Sequence, residues 1–79
     1  MIKVMFFGPV ADRVGAKEEC LEYQPGMYVQ DLYAQMQKKY PAAFELVCFT
    51  AVNGKHTCDM TLPLADNSEV VFMSKFSGG

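Results

Sequence analysis

Seventy-nine residues, 51% of them apolar, make one small domain able to bury a single core. A net charge of −2 with no basic stripe argues against a nucleic-acid partner, and no apolar run nears the ~20 residues of a membrane-spanning helix. Cys20, Cys48 and Cys58 are odd in number and lack Cys-x-x-Cys spacing, which disfavours a disulfide framework, a zinc site or an iron–sulfur loop. Small, buried and inert thiols in a reducing cytoplasm are the expectation, in keeping with the absence of a visible secretory signal. His56 is the single histidine, so neither a Cys–His catalytic pair nor a multi-histidine metal site is expected, and no metal is assigned.

In chain order, residues 2–7 read as a strand from its second residue on, with Ile2, Val4 and Phe6 on one face and Lys3, Met5 and Phe7 on the other. Gly8-Pro9 breaks it, and residues 10–14 read as a short turn of helix ended by Gly15. Residues 18–23 make a second short strand, closed by Gln24-Pro25-Gly26. Val29, Leu32, Tyr33, Met36 and Tyr40 then fall on one face of an amphipathic helix, with Asp31 near its start and Lys38 and Lys39 near its end, as the helix dipole favours. Met27 and Tyr28 stand where a capping Ser or Asp would be preferred, and Pro41 ends the helix by disfavouring helical geometry at Tyr40. A third strand is expected over residues 47–52, a hairpin turn at Asn53-Gly54, and a return strand over 55–58. After Pro63 and the polar turn Asp66-Asn67-Ser68, residues 69–74 form the last strand.

The order β, β, α, β, β, β with one main helix and a mixed sheet gives a two-layer α+β roll. If the first and last strands lie side by side at the centre, that order demands a β-grasp. The helix then covers one sheet face only, which makes Met5, Phe7 and Met73 candidates for an apolar face that needs a partner. The plainer reading of the same three residues is ordinary core. His56 alone reads as a surface hairpin residue.

The chain closes on Phe76-Ser77-Gly78-Gly79, read as a tail (76–79) on a body of residues 1–75. Paired glycines have no Cβ, fit narrow channels and cost entropy when ordered. Such an end suits a carboxylate that another protein's active site must reach; the bland alternative is a floppy end or a cloning remnant.

Residues 1–7, Ala51-Val52-Asn53, Leu64-Ala65-Asp66-Asn67-Ser68-Glu69-Val70 and the terminal Gly78-Gly79 together resemble the small subunit of molybdopterin synthase. The resemblance spans essentially the whole chain. Two places depart from the family pattern: Ser74-Lys75 stands where many members have a proline pair, and Asp66-Asn67-Ser68 stands where Asp-Gly-Asp is usual.

What the resemblance implies is a ubiquitin-like β-grasp sulfur carrier of the cytoplasm. An E1-like adenylyltransferase would spend ATP to adenylate the Gly79 carboxylate, which then becomes a thiocarboxylate. The tail, with Phe76, Ser77 and Gly78 guiding it, would enter the large synthase subunit and sulfurate cyclic pyranopterin monophosphate, within a heterotetramer. The active site would lie on the large subunit, leaving this chain a sulfur-donating rather than a catalytic partner that binds no cofactor itself. The resemblance also assigns Phe7, His56 and Met73, beside Met5, to the surface used by both partners.

Other readings are a thiamine-pathway sulfur carrier, a ubiquitin-like protein modifier and, of a different class, a β-grasp binding module without tail chemistry. The thiamine-pathway carriers are usually shorter and lack the Lys3-Val4-Met5-Phe6-Phe7 start. A ferredoxin-type electron carrier is disfavoured by the cysteine pattern.

Overall fold

The computed structural model describes residues 1–74. Its central pair is β1 (Ile2–Phe6) and β5 (Glu69–Ser74), which run parallel with Val4 opposite Val70 and Phe6 opposite Phe72. Around this pair the sheet order is β2-β1-β5-β3-β4, with β2 at Glu18–Leu21, β3 at Val47–Val52 and β4 at Lys55–Thr57. The remaining pairings are antiparallel. First and last strands adjacent and parallel, with a helix across one face, is the β-grasp arrangement expected from the element order. Among the described residues no helix is long and apolar enough to cross a membrane.

Alternation along the strands sorts the side chains. Ile2, Val4, Phe6, Val70 and Phe72 are buried beneath the main helix, α2 (Val29–Lys39), which meets them with Val29, Leu32 and Met36. Each of these eight residues is at most 1% exposed. Phe72 sits at the centre of the aromatic packing, with ring centroids 6.4 Å from Phe6, 6.0 Å from Tyr33 and 5.0 Å from Phe44. Edge-on contacts of this kind add to what area burial alone provides.

The short helix after Gly8-Pro9 is present as α1 (Pro9–Val14), and Gly15 closes it in the left-handed region at φ 85°. Two strands end earlier than the sequence reading placed them: β2 at Leu21 rather than at 23, and β4 at Thr57 rather than at 58. Thr57 itself starts the next turn, since its hydroxyl accepts the Asp59 N–H at 3.0 Å.

The uncapped start of α2 is resolved through tertiary contacts. Val29 N–H donates to the Leu62 carbonyl at 3.0 Å and Gln30 N–H to the Met60 carbonyl at 2.8 Å, so a distant loop takes up the helix's orphan donors. The Asp31 carboxylate reaches back to accept the Tyr28 N–H at 2.7 Å. Pro41 does end α2, as expected, but it also starts a further short helix, α3 (Pro41–Phe44). Arg13 ties α1 to this segment by donating to the Ala42 carbonyl at 3.0 Å.

Candidate functional site

The sheet face away from α2 is where the sequence placed Met5, Phe7 and Met73, the resemblance added His56 to the partner surface, and the register brings all four together. Met5 lies opposite Val71, Val71 opposite Ala51 and Ala51 opposite His56, which makes one row across four strands. A second row runs alongside. Phe7 N–H donates to the Phe72 carbonyl at 3.2 Å, which sets Phe7 beside Met73, and Met73 lies opposite Phe49. Phe7 is 44% and Phe49 42% exposed, whereas Met5, Val71 and Met73 are half-buried. Exposed aromatics gathered on one face are the kind of surface that marks a contact site rather than a scatter of tolerated side chains.

Two residues of this face were not anticipated. Phe49 packs edge-on against His56 with centroids 5.9 Å apart, joining the two rows. Val71 occupies the middle of the first row. The signal for Val71 was available, since it follows Val70 and must point the opposite way. The signal for Phe49 was obscured by an irregularity between Val47 and Phe49, where the register of β3 against β5 shifts by a residue.

The charged neighbours stand at the rim, where Lys3 pairs with Glu18 at 3.3 Å. Elsewhere, Lys39 is raised above its ordinary value of 10.5, chiefly by the hydrogen bond to Glu19. That pair lies on the helix side, where Tyr40 also donates to Glu19 Oε1 at 3.2 Å, and serves to pin α2 to β2. Asp59 is lowered below 3.8 by the hydroxyl and amide of Thr61, and Asp66 is lowered below 3.8 by the terminal amine of Met1. Both carboxylates lie in turn segments outside the strands that carry the two rows.

The second row borders the C-terminal end of β5, which finishes at Ser74 against Val47. The tail residues Phe76, Ser77, Gly78 and Gly79 lie outside the described residues. The site therefore consists, as far as described, of an apolar sheet face one residue upstream of the point where β5 stops.

The sequence profile of the ThiS family matches residues 4–79. The chain belongs to the ThiS family. With the β-grasp fold, this makes it a ubiquitin-like domain of the sulfur-carrier type. Solved structures agree on the architecture. The molybdopterin converting factor subunit 1 of Pyrococcus furiosus is 25% identical, with a TM-score of 0.81 over 92% of this chain and 94% of that one. The small archaeal modifier protein 1 of Methanosarcina acetivorans is 22% identical, with a TM-score of 0.78 over 99% and 95%. A chain of the Helicobacter pylori complex of subunits 1 and 2 of molybdopterin-converting factor is 24% identical, with a TM-score of 0.73 over 99% and 97%. A sequence comparison with curated proteins gives no significant match.

Proposed function

We propose that this member of the ThiS family is the sulfur-carrying small subunit of molybdopterin synthase. The observation that carries the proposal is the apolar double row, Met5-Val71-Ala51-His56 beside Phe7-Met73-Phe49, at the end of the strand that leads into Phe76-Ser77-Gly78-Gly79. The body (1–75) acts as the handle and the tail (76–79) as the reagent. The similarity to molybdopterin converting factor subunit 1, and to a complex of the two subunits, supports the choice of partner.

In this reading an E1-like enzyme lets a Gly79 carboxylate oxygen attack the α-phosphorus of ATP, and pyrophosphate leaves. Sulfur at the sulfide level, as hydrosulfide released by a donor, attacks the acyl carbon, AMP leaves, and loss of the S–H proton gives a thiocarboxylate. The large subunit then takes the tail and supplies the active site in which that sulfur attacks the pyranopterin. Docking of the apolar face holds the soft nucleophile in place, an advantage in effective concentration that free sulfide lacks. The flexible thioether of Met73 suits a surface that must serve two partners in turn.

Intact mass spectrometry after incubation with the E1-like enzyme, ATP and a sulfur donor tests the first half. The expected product carries one sulfur in place of one oxygen at Gly79; an unchanged mass with a competent E1-like enzyme overturns the carrier reading. A second reading rests on the family match itself, which the thiamine-pathway carriers share. Offering the thiocarboxylated protein to the molybdopterin-synthase large subunit and, separately, to the thiazole-forming enzyme decides between them by which acceptor is sulfurated.

A further inference from the structure

A groove of about 280 Å³ lies at the β3–β4 edge of the sheet, away from the apolar rows, and three sulfur-bearing side chains line it: Cys48, Cys58 and Met60. Tyr33, Val47, Thr50 and Thr57 complete its walls. We propose that Cys48, Cys58 and Met60 form a binding site for a soft monovalent cation, with copper(I) as its representative.

The placement of each sulfur follows from a local irregularity. Cys48 falls in the shift of register between Val47 and Phe49, where an extra residue re-aims its side chain away from strict alternation. Cys58 follows the last residue of β4, so it leaves the sheet plane into the turn that the Thr57 hydroxyl fixes through the Asp59 N–H. Met60 is held by its own carbonyl, which accepts the Gln30 N–H of α2 at 2.8 Å, and its side chain packs partly against the core. The backbone beside Cys58 and at Met60 is therefore tied down by bonds that exist without any ion. Both thiols, like that of Cys20, are exposed and free rather than buried as the sequence reading expected, because they lie at the sheet edges and not under α2, so an ion has access.

The donor set selects the ion. Two thiolates and a thioether are soft ligands, the type that favours copper(I) over magnesium, calcium or manganese. Zinc shares the taste for thiolate but wants four nitrogen, sulfur or oxygen donors. Here the additional candidates are already engaged: His56 lies on the opposite sheet face against Phe49, and the Asp59 carboxylate accepts from the Thr61 amide and hydroxyl. Among the described residues no group of three or more His, Cys, Asp or Glu gathers anywhere, so sulfur from methionine is what distinguishes this groove. Binding displaces the two thiol protons, so affinity should rise with pH.

The test uses the full chain, reduced and kept anaerobic, titrated with copper(I) against a chromophoric copper(I) chelator. One equivalent is expected to be withdrawn from the chelator. Cys48→Ser and Cys58→Ser should each weaken retention about 100-fold and Met60→Leu about tenfold, the range in which even outer-shell losses fall. Cys20→Ser should change nothing, because Cys20 sits on β2 at the far edge of the sheet. Protection of the unaltered protein gives a readout independent of any variant's folding: copper(I) should shield Cys48 and Cys58, but not Cys20, from alkylation. Failure to compete with the chelator, equal shielding of all three cysteines, or undiminished retention by Cys48→Ser and Cys58→Ser overturns the site.

Discussion

Asn53 does two jobs with one residue. It stands at φ 51°, in the left-handed region of the hairpin turn, with Gly54 at φ 85° after it. Its side-chain oxygen also accepts the Glu69 N–H at 2.9 Å, while its own N–H donates to the Glu69 carbonyl at 2.8 Å. Asn53→Gly keeps the backbone at ease and loses the side-chain bond, for a cost of about 1 kcal/mol. Asn53→Ala loses the bond and adds left-handed strain, for about 2 kcal/mol or more. Urea unfolding of the two variants separates the contributions; equal losses would mean the turn geometry contributes nothing. The turn was legible in the sequence because Asn-Gly tolerates positive φ locally. The bond to Glu69 was not, because sixteen residues separate the partners and only the sheet brings them together. Asp59 offers a pH test at the same scale. Its folded pKa is depressed below the ordinary 3.8 by Thr61, so its contribution is fully present above that value and is lost as pH falls through the lower folded one. Asp59→Asn should therefore flatten the acid limb of a stability-versus-pH curve below about pH 4 and leave the neutral region without pH dependence of its own.

The main elements were readable because each carries its own period. Residues 29–40 repeat at helical spacing, and residues 2–7 and 69–74 alternate, so α2, β1 and β5 follow from local pattern. What failed to show was structure made by tertiary contacts. The α2 start has no capping side chain before it because the Leu62 and Met60 carbonyls do that work from another part of the chain. The stretch 41–46 is too short for any period to register, yet α3 within it supplies Phe44, which is 3% exposed and meets Phe72 at 5.0 Å and Tyr33 at 5.2 Å. Phe44→Ala should accordingly cost about 3–5 kcal/mol, the range for emptying an aromatic site in a packed core. Thermal or chemical denaturation measures it. A loss below about 1 kcal/mol, as for a surface change, would mean that α3 only rests on the core without filling it. The candidate site divides the same way. Met5, Phe7 and Met73 could be placed by alternation, while Phe49 needed the register shift in β3 to be seen.

At the scale of the whole molecule, the proposed function asks the body to stay folded while the tail reaches into a partner. Everything that makes the described core lies between Ile2 and Phe72. Phe7, 44% exposed, adds little to that core, so Phe7→Ala should lower stability by no more than about 1 kcal/mol. The same change should weaken docking to the large subunit by about 2 kcal/mol, as loss of an anchoring interface aromatic does. Titration calorimetry beside a melting curve distinguishes the two; a sharp fall in melting temperature with unchanged affinity would return Phe7 to the core. The tail should behave in the opposite manner. Deleting Gly79 touches no core residue, so the unfolding midpoint should not move. It does draw the carboxylate back by about 3.5 Å, the span of one extended residue. A displacement far smaller than that is costly when reaction depends on near-attack geometry, so sulfur transfer should be lost although the docking face is whole. Adding a residue after Gly79 should fail as well, since it places a side chain where a glycine-width channel is required. The decisive pairing is a normal melting curve and normal large-subunit affinity with no molybdopterin formed. A truncated protein that still supports product at the ordinary rate would show that sulfur does not travel on the Gly79 carboxylate, and the molecule would then be a β-grasp binding module whose apolar face is its whole function.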